Sequence, residues 1–337
     1  MKVKQLLSDV TLKLSISEID NAARDARILV AHALGIPKSQ LALNTNENVP
    51  EETRSSLEKL ISRRINREPI AKILGKRQFW GRTFFINEDV LDPRGDTETL
   101  IDYVIDKPVR AVLELGTGSG VIAISLACEW KEVNVVATDI SEAALLVAQI
   151  NAKNFDVEDK IDFLKSDWFE AIEGKFDLII SNPPYIGLSE INEISQEVLN
   201  HDPELALFAG SDGLGAYERI IPQLTKFLNP GGTVVLEIGA SQSDSVKTLM
   251  NSSGLSEVKT LKYYKVNNKK LSKDFYGWWG SMSIISHIIK ILCLSSGSVI
   301  LKFHKPLDSR DFKNRKELTI AVESIISEDI SNQILNN

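Results

Sequence analysis

The chain has 337 residues, 43% hydrophobic and 25% charged, with a formal net charge of −7. That balance fits an ordinary soluble globular protein with room for one large and one small domain. Cys128 and Cys293 lack metal-ligand or redox spacing, so a disulfide framework is not expected. The opening residues lack the apolar core of a signal peptide. The late apolar stretch from Met282 to Leu294 is interrupted by His287 and Lys290 and is too short to span a bilayer. A cytoplasmic protein is expected, with no membrane association.

Residues 1–77 read as a small helical domain. Leu6, Leu7, Val10 and Leu14 recur at helical spacing. Asp20 is a candidate cap for a second helix through Ala22, Ala26, Leu29 and Val30, which ends at Gly35-Ile36-Pro37. A third helix is expected from about Glu51 to Asn66. The charge is uneven: residues 1–85 carry 15 Lys and Arg against 9 Asp and Glu, so the remainder sums to −13. Lys59, Arg63, Arg64, Arg67, Lys72, Lys76, Arg77 and Arg82 stand against Glu68 alone. This run reads either as a solvated helix face or as a docking face for an acidic macromolecule.

Residues 78–108 read as a connection opened by a hairpin, with Phe79, Trp80, Phe84, Phe85 and Ile86 around Gly81. From Arg110 onward short apolar strands alternate with helical patterns. The strands are expected at 111–115, 133–138, 161–164, 176–181 and 233–238, and the helices at 121–129, 141–153, 213–228 and 242–253. Such alternation implies parallel strands with right-handed crossovers, hence a doubly wound, Rossmann-like α/β sheet over residues 109–280. Residues 281–337 carry no regular alternation and are left unassigned.

The first of these strands runs directly into Gly116-Thr117-Gly118-Ser119-Gly120, and a helix follows from Val121. Glycines allow a tight turn and close approach of backbone to a ligand, and the helix start adds partial positive charge. The G-x-G-x-G spacing is not the dinucleotide fingerprint, and no Gly-Lys-Ser/Thr follows to make a phosphate loop. Asp139 ends the second strand, where a carboxylate can grip both hydroxyls of a ribose; it could equally cap the next helix, a role for which Ser141 competes. Asp167-Trp168 follows the third strand, with Trp168 either walling an adenine or filling the core. Three strand ends together suit S-adenosylmethionine.

The fourth strand ends in Asn182-Pro183-Pro184-Tyr185. Consecutive prolines cannot donate to a sheet ladder, so the chain leaves the sheet there in a stiff loop. The Asn182 side-chain oxygen and the Pro183 carbonyl can accept both hydrogens of a planar –NH2 group, with Tyr185 packed beside it. An amide nitrogen is a poor nucleophile because its lone pair is delocalised. Gripping both hydrogens favours pyramidalisation and aims the lone pair at a sulfonium methyl.

These motifs, with Glu68-Pro69-Ile70-Ala71-Lys72-Ile73-Leu74-Gly75, Phe79-Trp80-Gly81 and His201-Asp202-Pro203-Glu204-Leu205, resemble the PrmC/HemK family of protein-glutamine N5-methyltransferases. The resemblance runs from about residue 20 to 255. It implies a class I S-adenosylmethionine-dependent methyltransferase domain behind a helical domain that helps dock the substrate, and a monomer. The implied activity is methylation of the glutamine of the Gly-Gly-Gln motif in class-1 peptide chain release factors. By resemblance, Gly116, Thr117, Gly118, Ser119, Gly120, Asp139, Trp168 and Asn182 bind the cofactor, while Asn182, Pro183, Pro184 and Tyr185 hold the glutamine, with Asn182, Pro183 and Tyr185 catalytic. A nucleic-acid adenine N6-methyltransferase would present the same –NH2 to the same corner, but it needs an electropositive track that the −13 balance of residues 86–337 disfavours. No direct nucleic-acid binding is therefore expected. Two departures stand out. Gly95 replaces a proline of the family's Pro-Arg-Pro motif, which loosens that loop. The family's last short strand has no clear counterpart, although 283–285 or 298–301 could supply one.

Overall fold

The computed structural model describes residues 1–261, which lie within one compact unit. The sequence-stretch 262–337, with the expected end of the sheet domain, the candidate last strands and Cys293, lies outside the described residues. Four helices open the chain: α1 (Val3–Ile16), α2 (Ala22–Ala33), α3 (Glu51–Ile65) and α4 (Ile70–Leu74). Val3, Leu6, Val10 and Leu14 of α1, Leu29 and Val30 of α2, and Leu57 and Ile61 of α3 form a core of their own. Each such buried side chain contributes about 1.5–3 kcal/mol, more than these short helices gain from propensity. Asp20 is not the cap of α2. The residue before the helix is Asn21, at φ +59°, and no side chain closes that end.

Strands β1 (Lys76–Phe79) and β2 (Arg82–Phe85) form the expected antiparallel hairpin. Trp80 and Gly81 both have positive φ, +48° and +72°, the geometry that lets a two-residue turn follow strand twist. A 3-10 turn at Gly95–Thr97 leads into α5 (Glu98–Val104), a helix the sequence reading did not anticipate.

The doubly wound sheet follows, built from β3 (Ala111–Leu115), β4 (Asn134–Asp139), β5 (Ile161–Lys165), β6 (Phe176–Ser181) and β7 (Leu228–Leu236). The order is β5-β4-β3-β6-β7 and every pairing is parallel. Helices α6 (Val121–Glu129) and α7 (Glu142–Asn154) connect the first three strands. Between β6 and β7 lie α8 (Gln196–His201), α9 (Glu204–Leu207), α10 (Gly215–Ile220) and α11 (Leu224–Phe227), and α12 (Ser243–Ser252) follows β7. Two expectations needed adjustment. The helix expected over 213–228 is broken by a 3-10 turn at Ile221–Gln223, where Pro222 has no N–H to continue the ladder. β7 begins at Leu228 instead of 233, and its register against β6 jumps from Leu228 to Thr233, so Asn229–Gly232 bulges.

The chain starts the sheet at β3, builds outward through β4 and β5, and returns to place β6 against the other side of β3. The order therefore reverses between β3 and β6, and such switch points are where ligands bind in open α/β sheets. Leu115 pairs with Ser181 at the carboxyl ends of these strands, and Ser181 Oγ donates to the Leu115 carbonyl at 2.7 Å. The glycine loop and Asn182 are the next residues on each strand. Among the described residues no helix is long and apolar enough to cross a membrane.

Most of the basic run from Lys59 to Arg82 is not a free cationic face. Arg63 pairs with Glu68, Arg64 is buried against Asp25 and reaches Glu197, and Lys72 is buried against Asp202. Arg67 donates to the Glu18 and Ser17 carbonyls, Arg77 pairs with Asp92, and Arg82 with Glu129. Local charge counting misses this because two of the acidic partners, Glu197 and Asp202, lie more than a hundred residues away.

Candidate active site at the sheet switch point

Gly116, Gly118 and Gly120 all have positive φ, at +71°, +56° and +81°, so the turn out of β3 needs residues without Cβ strain. The loop is fixed from the neighbouring strand: Thr117 N donates to the Thr138 carbonyl at 2.8 Å, and Gly118 N donates to Asp139 Oδ2 at 2.9 Å. Asp139 Oδ1 accepts from Ser141 N at 3.0 Å. Ser141 itself caps α7 by accepting from Ala144 N. That settles the competition in favour of Ser141 and leaves the Asp139 carboxylate at the cavity. Burial pushes the Asp139 carboxyl above its usual range, opposed by hydrogen bonds from Ser141, Gly118 and Ile140. Below the loop, Glu114 is 1% exposed, and burial pushes its carboxyl up to about 8. The Thr117 hydroxyl and Ala123 N donate to its Oε2 at 2.7 and 3.0 Å and tie loop to helix.

A cavity of about 410 Å³ opens over these strand ends, the size of a small-molecule site. Its lining brings together Gly116, Thr117, Gly118, Ser119, Asp139, Trp168, Asn182 and Pro184. Gly120, Pro183 and Tyr185 do not line it. Gly120 sits where helix meets helix: a Cβ there would lie 2.8 Å from Ile124 Cδ1 and 3.1 Å from Ala148 Cβ. Gly120→Ala is expected to cost about 1–3 kcal/mol of stability, read from thermal or urea unfolding, with little change in ligand affinity once folded. A variant as stable as wild type would show that α6 and α7 adjust freely.

Trp168 holds φ +53°, uncommon for a bulky residue, and its Cζ3 approaches the Gly116 position. The bend is held because Ser166 Oγ donates to the Trp168 carbonyl at 2.9 Å and accepts from Ala171 N at 3.1 Å. Asp167 pairs with Arg219 of α10 at 2.7 Å, and both line the cavity.

At the Asn182 corner, Asn182 Nδ2 donates to Thr97 Oγ1 at 3.0 Å. Pro183 is buried. The Tyr185 phenol donates to Glu237 Oε1 at 3.4 Å, and burial followed by the Glu237 charge pushes that phenol up to about 12. The Tyr185 carbonyl accepts from Gln242 Nε2 at 2.8 Å, which clamps the loop from the start of α12. Ile186 N donates to the Leu207 carbonyl and Ala209 N to the Ile186 carbonyl, both at 3.0 Å. This fastens the stretch through Leu205, Ala206 and Phe208 over the cavity it lines. That stretch is also held from below by Asp202, whose side chain is fully buried against Lys72 and Arg94. Thr97, Glu237, Asp202 and Arg219 were not singled out from sequence. Asp202 belongs to a motif quoted for the resemblance, but none of the four takes a role from sequence alone, since their partners come from other elements.

Residues 5–75 match the family model described as PrmC N-terminal domain, and residues 88–210 match the methyltransferase small domain. The release factor glutamine methyltransferase of Cereibacter sphaeroides is 42% identical over 261 residues, covering 77% of this chain and 94% of that protein. That of Caulobacter vibrioides is 35% identical, covering 74% and 88%. A bifunctional methyltransferase of Rickettsia conorii is 42% identical over 273 residues, covering 72% of this chain and 52% of that protein. With both segments matched, and with a relative aligned along nearly its whole length, the chain belongs to the release factor glutamine methyltransferase family.

Proposed function

We propose that the chain transfers the methyl group of S-adenosylmethionine to the side-chain amide nitrogen, N5, of the glutamine in the Gly-Gly-Gln motif of class-1 peptide chain release factors. The observation that carries this reading is the adjacency of two features at one switch point: the glycine loop after β3 and Asn182 after β6 line the same cavity. The residues present suit the donor. Backbone of Gly116–Ser119 lines its place, Asp139 keeps lone pairs for ribose hydroxyls beyond its backbone bonds, and Trp168 offers a wall for the adenine ring. When bound, S-adenosylmethionine supplies an electrophilic sulfonium methyl.

The chain's own residues then act by position. Asn182 Oδ1 and the Pro183 carbonyl accept the two N–H groups of the substrate amide and turn its lone pair toward the methyl. Rate comes from orientation and from acceptors already in place as positive charge develops on nitrogen. The proton leaves after transfer, so no strong base is required. Tyr185, held through its phenol and its carbonyl, packs beside the acceptor and limits water. Residues 1–77 serve as the docking domain for the release factor, acting through surface shape, since most of the cationic run is consumed internally. The chain works in the cytoplasm, as a monomer, without binding nucleic acid.

The test is incubation with labelled S-adenosylmethionine and a release factor, its Gln-to-Ala variant, or DNA. Label on the glutamine-containing protein alone is expected. Label on DNA, or on the alanine variant at the wild-type level, would overturn the assignment.

A further inference from the structure

We propose that Thr97 and Glu237 are positioning residues that fix which way the Asn182 amide faces, through a hydrogen-bonded chain Asn182–Thr97–Glu237–Tyr185. The inference rests on the reading of Asn182 Oδ1 as an acceptor for the substrate –NH2. An amide side chain turned by half a rotation has nearly the same shape but presents donors where acceptors were. A flipped Asn182 would repel the substrate amide, so its orientation must be set by a partner.

That partner is Thr97. Its hydroxyl oxygen accepts from Asn182 Nδ2 at 3.0 Å, and the residue is only 3% exposed. A hydroxyl that accepts in this way still has one proton to place, and buried polar hydrogens cost free energy when left without an acceptor. Glu237 is the complement. Its Oε1 accepts from the Tyr185 phenol, while its buried Oε2 has no hydrogen-bond partner among the described residues. The Thr97 hydroxyl and the Tyr185 phenol are the two groups that stabilise the Glu237 carboxylate against its burial. The remaining donor and the remaining acceptor are complementary, and the proposed chain pairs them. With its proton drawn to Glu237, Thr97 has only lone pairs to show Asn182, and the amide must offer Nδ2. Oδ1 is left for the substrate.

The polarity of this chain is reversible by one isosteric change. A glutamine at position 237 can donate to Thr97 Oγ1, which frees the Thr97 proton to turn toward Asn182 and favours the opposite amide orientation. The same substitution weakens the hold on the Tyr185 phenol.

The full-length protein and its Thr97→Val, Thr97→Ser and Glu237→Gln variants should be compared with a recombinant class-1 release factor and labelled S-adenosylmethionine. Binding of S-adenosylmethionine is measured separately by calorimetry, and folding by thermal melting. Thr97→Val preserves shape and removes the hydroxyl; Thr97→Ser does the reverse. A hydroxyl role predicts that kcat falls about 10- to 100-fold in Thr97→Val and Glu237→Gln, and no more than about threefold in Thr97→Ser, with little change in S-adenosylmethionine affinity. A packing role predicts the opposite order of the two Thr97 variants. Activity of Thr97→Val or Glu237→Gln within threefold of wild type would overturn the inference. Wild-type protein that labels no release factor would overturn the proposed function, and this inference with it.

Discussion

Asn182→Ala is expected to reduce methyl transfer by about 10²- to 10³-fold while the protein still folds and retains much of its affinity for S-adenosylmethionine. The side chain is partly buried and makes one internal hydrogen bond, to Thr97, so the fold loses little when it is removed. What is lost is an acceptor fixed in place before the substrate arrives. The Pro183 carbonyl remains, but a single acceptor lets the substrate amide rotate and does not set its lone pair. The measurement is single-turnover transfer to a release factor at saturating donor, with unfolding followed in parallel. Transfer within tenfold of wild type would show that Asn182 does not hold the reacting nitrogen.

Asp202→Ala is expected to have the largest effect on stability, about 3–5 kcal/mol, read as a shift in the urea midpoint. The Asp202 side chain is 0% exposed and takes Lys72 Nζ at 2.8 Å and Arg94 Nη2 at 2.9 Å, while its Oδ1 accepts from Asp92 N at 3.2 Å. Lys72 also donates to the His201 carbonyl, and its side chain is 4% exposed. Removing the carboxylate strands an ammonium away from water, which costs more than the pair itself contributes. Hence Lys72→Met combined with Asp202→Leu should recover much of the loss, because the Lys72 ammonium is then removed together with its carboxylate. A loss below about 1 kcal/mol in Asp202→Ala would mean that water reaches Lys72. The cluster joins α4, the loop after β2 and the segment covering the cavity, so the destabilised variant should also bind S-adenosylmethionine more weakly.

Much of the site was legible in the chain itself because its signals are local. A buried parallel strand announces itself as a short apolar run, and Gly116–Gly120 and Asn182–Tyr185 follow two such runs directly. The glycine loop needs positive φ at three positions and the double proline must leave the sheet, whatever the rest of the molecule does. Gly120 shows the limit of that logic. It belongs to the motif, yet its lack of a side chain serves the contact with Ile124 and Ala148 and not the cavity. The break at Pro222 was also local and readable, but the apolar pattern on both sides disguised it.

The sequence by itself determined the alternation of strand and helix, the glycine turn, the stiff corner after β6 and hence the chemistry of an –NH2 acceptor beside a nucleoside. Only the tertiary structure decided that the two loops adjoin, because that follows from β6 returning to the open side of β3. It also decided the partners of the basic run and the company of Asn182. Arg64 meets Glu197 across 133 residues, and Asn182 meets Thr97 across 85. Such pairings arise from the packing of whole elements, which residue order and local charge do not encode. Counted along the chain, Arg64 and Lys72 read as surface charge; in the fold each is one half of a buried pair.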